Sequence, residues 1–322
     1  MVNRMNTPTA KLRLAFCGTP QFAVPTLQAL IAAGHEIALV VTQPDRPIGR
    51  KQTLTAPPVK QTAQAHGLTI TQPEKIKNNL EFRAQLEFVA PDAIVVVAYG
   101  RIIPLWMLAL PRLGCINLHG SLLPKYRGAA PIQWAVAMGE TVTGNTTILL
   151  EEGLDTGPIL LQQQIPIRPG QTSIDLFVEL AHIGAPLVVE TLAGLASGAL
   201  HPQPQDHSKA TLAPILNRED GRMDFANRTA AELYNRWRGF QPWPGAFTFR
   251  EGKKLIVHQL RPLAEATAGI AGQRIGGDER LLIVCAGGTV LELLELQPEG
   301  RNRMTASEFL RGNPIAPGTR LG

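Results

Sequence analysis

The run Ala93-Ile94-Val95-Val96-Val97-Ala98 constrains this chain more than any other stretch. It has no polar position and is rich in β-branched residues. Both faces of such a strand must be covered, the condition of a central strand in a parallel sheet. The N-terminal pattern agrees. Residues 12–16 read as a short apolar strand, 23–33 as a helix with Gly34 at its left-handed end, and 36–41 as a second strand. This is a βαβ opening, and it predicts an α/β domain with a Rossmann-like, mostly parallel open sheet. The turn after the first strand, Gly18-Thr19-Pro20-Gln21-Phe22, lacks G-x-G-x-x-G. Without those glycines a diphosphate cannot approach the backbone closely, so neither NAD nor FAD is expected.

Further helices are predicted at 57–66, 80–88, 104–110 and 130–138, and strands at 68–71, 115–118, 144–150 and 159–167. Residues 173–199 read as one or two helices, with Pro186 marking a break or kink. Residues 201–212 have the composition of a linker. Beyond them Thr229-Ala230-Ala231-Glu232 is a capping-box signature. Short β runs follow at 245–250, 255–261, 281–285 and 289–296, with turns at Glu251-Gly252 and Gly287-Gly288. Strands so spaced predict a small OB-like β-barrel. The expected organisation is a catalytic domain over 1–200, a linker over 201–212 and a C-terminal domain over 213–322.

Three cysteines, Cys17, Cys115 and Cys285, stand far apart with no C-x-x-C pair. That argues against a disulfide framework or a cysteine-built zinc site, and it fits a reducing compartment. Residues 1–11 are polar with no apolar h-region, so no secretory signal is expected. No stretch approaches the roughly 20 apolar residues of a membrane span, so no membrane partner is expected. The net charge of +5 and pI of about 9.3 permit a nucleic-acid partner without requiring one. Residues 1–211 carry 16 basic and 14 acidic side chains and 212–322 carry 15 and 12, so neither part is strongly basic. Residues 42–58 form a long, proline-rich polar segment. There Arg46, Arg50 and Lys51 against Asp45 would make a cationic finger, although a solvated surface loop fits the charges equally well.

Candidate chemistry gathers in Cys115-Ile116-Asn117-Leu118-His119-Gly120-Ser121-Leu122-Leu123-Pro124. A buried strand ends here and breaks through Gly120 and Ser121 into a turn closed by Pro124. Asn117 and His119, two apart, point to one face of an extended strand. One is an amide donor, the other the side chain suited to proton transfer near neutral pH. A structural Asn and a core His fit the same pair. Asp155, in a glycine-flanked acidic turn, could reach a neighbouring strand end and orient the imidazole, or could simply form the turn. Together the three suit acyl transfer from a carbonyl donor to an amine, with donors holding the oxyanion and a proton passing to the leaving nitrogen. Ser121 lacks the G-x-S-x-G of a nucleophile elbow, so no Ser-His-Asp arrangement is implied.

The stretch from Asn117 to Pro124, with Asp155, resembles the signature of the 10-formyltetrahydrofolate-dependent formyltransferases. Three more features resemble the branch that formylates methionyl-tRNA. They are Gly18-Thr19-Pro20-Gln21-Phe22-Ala23, Gln43-Pro44-Asp45-Arg46-Pro47-Ile48-Gly49-Arg50 and Arg127-Gly128-Ala129-Ala130-Pro131-Ile132-Gln133. Trp243-Pro244-Gly245-Ala246 and Leu294-Glu295-Leu296-Gln297-Pro298-Glu299-Gly300 extend the similarity, which runs from Leu12 to the end. The resemblance implies a formyl group moved from 10-formyltetrahydrofolate to the α-amine of initiator methionyl-tRNA, with no metal and no permanently bound cofactor. It implies that Asn117 holds the oxyanion, His119 moves the proton and Asp155 supports His119. Ser121, Leu122, Leu123 and Pro124 would line the folate site, with backbone near Tyr99 and Gly100 flanking the pterin. Arg46, Arg50 and Lys51 would engage the acceptor stem, Arg50 foremost, and the barrel would track RNA phosphates. A monomer in a bacterial-type cytoplasm is expected. Two departures stand out. Lys51 replaces a usual second glycine, and Thr211-Leu212-Ala213-Pro214-Ile215 stands where Tyr-Ala-x-Lys is common. Formyltransferases acting on an amino sugar nucleotide or a purine precursor share the trio, but a small acceptor needs neither the basic loop nor the barrel.

Overall fold

The computed structural model describes residues 11–49, 52–277 and 279–322. The chain forms two compact units. One is drawn from the described part of Met1–Pro131 with Val142–Ile165 and Phe177–Ala213, the other from Ile132–Thr141, Pro166–Leu176 and Pro214–Gly322.

The first unit opens with β1 (Arg13–Gly18), α1 (Val24–Ala32) and β2 (Glu36–Val41). A ribbon of β3 (Arg46–Ile48) and β4 (Thr53–Thr55) follows, then α2 (Pro58–Ala65), β5 (Ile70–Thr71), α3 (Leu80–Val89) and β6 (Ala93–Val97). Next come α4 (Leu105–Leu108), β7 (Cys115–His119), β8 (Val142–Leu149), β9 (Ile159–Pro166) and, from Phe177 onward, α6 (Ser173–Ser197), whereas α5 (Pro131–Ala137), between β7 and β8 in the chain, belongs to the second unit beyond Pro131. Seven strands make one sheet in the order β5-β2-β1-β6-β7-β8-β9. The pairs β2–β5, β1–β2, β1–β6 and β6–β7 are parallel, and β8 turns back antiparallel on β7. The Rossmann-like, mostly parallel sheet read from the sequence therefore holds. Every residue of β6 is buried, as its unbroken apolar run required. On one face Ala15, Cys17, Leu39, Val41, Ile94 and Val96 pack with Phe82, Leu86 and Val89 of α3. Asn79 caps α3 by accepting from the Phe82 N–H at 3.0 Å.

The strand order reverses between β1 and β6, whose ends meet at the Gly18–Val97 pair. Ligand crevices in open α/β sheets form at such a switch, beyond the carboxyl ends of the strands. This position brings the ends of β1, β6 and β7 to one edge of the sheet.

Three readings change. The 42–58 segment, expected as an irregular loop, contains the antiparallel ribbon, with Arg46 paired to Thr55 and Ile48 to Thr53. Residues 173–197 form one helix that runs through Pro186, at the cost of the single ladder bond its missing N–H would have made. This α6 is also long and apolar enough, by length and composition, to cross a membrane, contrary to the sequence reading. Half of that apolar window is buried inside the protein. Its Leu180 carbonyl accepts from the Asn145 amide of β8 at 2.8 Å.

The second unit holds α7 (Ala230–Gly239), β10 (Ala246–Arg250), β11 (Lys253–Ala266), β12 (Arg274–Ile275), β13 (Leu281–Val284), β14 (Thr289–Pro298), β15 (Met304–Thr305) and α8 (Ala306–Gly312). Its sheet is antiparallel in the order β10-β11-β14-β13-β12, with β15 also on β14. Register shifts along β11 bend this long strand, so the sheet curls into an OB-like half-barrel. Inside it Leu255, Val257, Ile283, Leu291 and Leu293 pack with Leu233 of α7 and Phe309 of α8. The Thr229–Glu232 capping box forms as read, and Thr305 and Glu308 form a second one before α8.

All three cysteines are free and buried. Burial pushes the Cys115 and Cys285 thiols up to about 12, and burial together with the neighbouring Cys115 raises Cys17 well above its ordinary value. Reaction requires the thiolate. All three should therefore resist iodoacetamide at pH 8 in the native protein and react fully in denaturant, as intact mass would record.

Candidate active site

The site is built where β7 leaves the sheet. Asn117 and His119 lie on one face of β7, opposite Ile148 and Thr146 of β8. Asn117 is partly exposed, and its amide has no side-chain hydrogen bond among the described residues. His119 is buried, and its Nε2 lies 2.8 Å from the Tyr126 carbonyl. A carbonyl only accepts, so Nε2 carries the hydrogen and the neutral ring keeps its lone pair on Nδ1. Nδ1 is 3.6 Å from Asp155 Oδ2, too long for a direct hydrogen bond but close enough to stabilise an imidazolium. Asp155 has a left-handed backbone, φ +52°, and its Oδ2 accepts from the Gly128 N–H at 2.8 Å. Gly128 itself has φ +121°, and a Cβ there would lie 2.7 Å from the Ala213 carbonyl. The glycine is what lets this N–H reach the carboxylate.

Between His119 and Arg127 the chain folds over a hydroxyl hub. Thr146 Oγ1 donates to the Ser121 carbonyl at 2.7 Å and accepts from the Leu123 N–H at 3.1 Å. Gln162 Nε2 donates to the same hydroxyl and to the Leu123 carbonyl, both at 2.9 Å. Ser121 is fully buried and its Oγ donates to the Lys125 carbonyl at 2.7 Å, closing the turn. Leu123 is buried too, while Leu122 and Pro124 keep partial exposure. Of the four residues read as a folate lining, Leu122 and Pro124 offer surface, and Ser121 and Leu123 sit inside the turn.

At the end of β6, Tyr99 is buried and its carbonyl accepts from Thr19 Oγ1 at 3.1 Å and Gln43 Nε2 at 3.2 Å. Both carbonyl lone pairs are engaged, and the exposed residues at this strand end are Ala98 and Gly100. Gln43 starts the segment that carries the ribbon. Its carbonyl accepts from Gln72 Nε2, which also donates to Asp45, each at 2.8 Å. Gln72 and Lys60 hold the Asp45 carboxyl below its usual range, with Lys60 Nζ 2.7 Å away. Asp45 is thus paired at the ribbon's root and does not offset Arg46, which is exposed on β3. Arg50 and Lys51 lie outside the described residues.

The sequence reading missed four further residues. Arg127 and Gln205 are both buried and hydrogen-bonded to each other, and Thr146 and Gln162 form the hub. Arg127 lay within the quoted run 127–133, but Gln205 had no signal beyond a segment of linker composition.

The formyl transferase family matches residues 12–192, and the formyl transferase C-terminal domain matches 215–314. The chain belongs to the formyl transferase family. Methionyl-tRNA formyltransferase from Acidobacterium capsulatum is 65% identical, with 97% of this chain and 100% of the relative aligned. Its counterpart from Koribacter versatilis is 58% identical over 96% of this chain and 98% of its own. Among solved structures, the sugar 3N-formyl transferase WlaRD, determined in the presence of dTDP and 5-N-formyl-THF, shares the fold. Its TM-score is 0.64 at 17% identity, covering 90% of this chain and 99% of that one.

Thr146→Val keeps the shape and removes the hub hydroxyl, leaving the buried Leu123 N–H short of its acceptor. The variant should lose about 1–3 kcal/mol of stability, read as a lowered unfolding midpoint.

Proposed function

We propose that this chain transfers the formyl group of 10-formyltetrahydrofolate to the α-amine of methionyl-initiator tRNA, giving N-formylmethionyl-tRNA. The His119–Asp155 pair beside Asn117 at the end of β7 carries the reading, together with near full-length similarity to methionyl-tRNA formyltransferases. The amine nitrogen attacks the formyl carbon, and the carbonyl oxygen becomes an oxyanion. Asn117 Nδ2, without a hydrogen-bond partner among the described residues, donates to it. His119 Nδ1 accepts the proton that the attacking nitrogen loses, while the Asp155 carboxylate stabilises the resulting imidazolium. The bond from carbon to N10 breaks, and Nδ1 returns the proton to N10, leaving tetrahydrofolate and the formylated amine. No step consumes an oxidant, a metal or a nucleotide.

In this reading Leu122, Pro124 and the Gly100 backbone border the folate, with Ser121 and Leu123 shaping the turn beneath. The β3–β4 ribbon reaches the acceptor end of the tRNA through Arg46, Arg50 and Lys51. In the second unit a groove of about 800 Å³ is lined by Arg222, Arg228, Arg236 and Arg320 together with Glu219 and Asp224. That mixed but net positive lining suits contact with RNA phosphates. The enzyme acts as a monomer in the cytoplasm, without a membrane partner.

The purified protein should formylate methionyl-initiator tRNA with 10-formyltetrahydrofolate, followed by resistance of the ester-linked methionine to Edman reagent. Activity on a 3-amino sugar nucleotide with none on charged tRNA would sink the reading. Asn117→Ala and His119→Ala should each lower kcat by about 100-fold or more while KM for the tRNA changes little. Equal losses in kcat and tRNA affinity would assign them a positional role instead.

A further inference from the structure

Asp155 is held at both ends by one closed circuit of bonds. Its carbonyl accepts from Gln205 Nε2 at 2.8 Å. Gln205 Oε1 accepts from Arg127 Nη2 at 2.6 Å and Nε at 3.2 Å. The peptide after Arg127 is Gly128, whose N–H returns to the Asp155 carboxylate at 2.8 Å. The second hydrogen of Gln205 Nε2 goes to the Gly157 carbonyl at 2.6 Å, so both donors and both lone pairs of this buried amide are used. Arg127 Nη2 also meets His207 Nδ1 at 3.0 Å, and no carboxylate pairs with the guanidinium among the described residues. A buried cation held only by neutral acceptors is not kept for ion pairing. What it does here is fix the orientation of the Gln205 amide.

The main chain on either side supports the same arrangement. Arg127 N–H donates to the Thr211 carbonyl at 2.8 Å, and Ala213 N–H donates to the Arg127 carbonyl at 2.7 Å. The Tyr126 N–H donates to Thr211 Oγ1 at 2.9 Å, one residue before Arg127 and on the residue whose carbonyl holds His119. Residues 205–213 lie between the two matched family segments and all but Ala213 fall in the stretch read as linker, yet they pin the loop that touches both His119 and Asp155. The left-handed backbone of Asp155 is one a non-glycine residue keeps only when its surroundings enforce it.

Resting on the role given to Asp155 above, we propose that Gln205, oriented by Arg127, is a positioning residue for formyl transfer: its two N–H groups lock the Asp155 turn so that the carboxylate faces His119 Nδ1. Substrate binding does not use it.

Gln205→Glu tests this directly, because the carboxylate still accepts from Arg127 but cannot donate to Asp155 and Gly157. Its kcat should fall about 10–100-fold, with KM for 10-formyltetrahydrofolate and for methionyl-tRNA each changed less than about threefold. Arg127→Lys reaches the circuit from the other side, keeping the charge and losing the fork, and should show the same split. Combined with Asp155→Asn, Gln205→Glu should add no further loss, since both act through one carboxylate. Wild-type kcat in Gln205→Glu beside a disabled Asp155→Asn overturns this inference alone, as do losses that multiply in the double variant. Wild-type kcat in Asp155→Asn would instead overturn the role of Asp155, and the inference with it.

Discussion

The site depends on one hydroxyl. Thr146 faces His119 across the β7–β8 ladder, and its Oγ1 joins the Ser121 carbonyl, the Leu123 N–H and the Gln162 amide. A strand that ends at the edge of a sheet has no further ladder partner, and the chain beyond it would ordinarily be mobile. Here β8 runs antiparallel to β7, so it passes beneath the outgoing turn and offers it a partner. A parallel neighbour would have ended at the same edge and offered none. The antiparallel strand in an otherwise parallel region is therefore what turns a strand end into a rigid platform for His119.

From that platform the chain collects its remaining groups by short steps. Tyr126, Arg127 and Gly128 contribute, in order, a carbonyl to His119, a guanidinium to Gln205 and an N–H to Asp155. Three consecutive residues can do this because Tyr126 and Gly128 both have positive φ, at +61° and +121°. The backbone reverses its sense twice, and successive groups face different partners. Such a turn has few conformations to lose if its ends are fixed, and both ends are, at Thr146 and at Thr211–Ala213.

Much of this was legible in the sequence, for reasons that differ by residue. Ala93–Val97 could only be a doubly covered strand, and the βαβ opening fixed its neighbours' direction. Asn117 and His119 share a face because strands have period two, and no tertiary information was needed. The capping box at Thr229 is a purely local interaction and formed as read. The misses at the site involve distant partners. Gln205 lies 50 residues from Asp155 in sequence and 78 from Arg127, in a proline-rich stretch whose composition matches a linker. Composition reports the lack of helix or strand, not the lack of partners, and a segment pinned by side chains and isolated bridges looks the same as a loose one. The ribbon at 46–55 escaped for a similar reason: its strands of three residues are too short for a periodic signal. Pro186 misled because burial of α6 compensates the one bond a proline removes.

The 3.6 Å gap between His119 Nδ1 and Asp155 Oδ2 makes sense in this setting. A direct hydrogen bond would require Nδ1 to hold a proton in the resting ring, while Nε2 already gives its own to the Tyr126 carbonyl. The ring would then be committed as an acid before any amine had attacked. With the carboxylate slightly withdrawn, the neutral ring keeps a lone pair on Nδ1, and the attraction to Asp155 grows once that nitrogen is protonated. An interaction stronger in the charged intermediate than in the resting state is the kind that accelerates a reaction instead of merely tightening the ground state. It works only if the carboxylate can neither collapse onto Nδ1 nor drift into solvent. In the proposed mechanism the Gly128 N–H and the Gln205 amide, which bond the two ends of Asp155, oppose both, and the buried polar circuit under the Asp155 turn would be the structural counterpart of a pair that stays close without bonding.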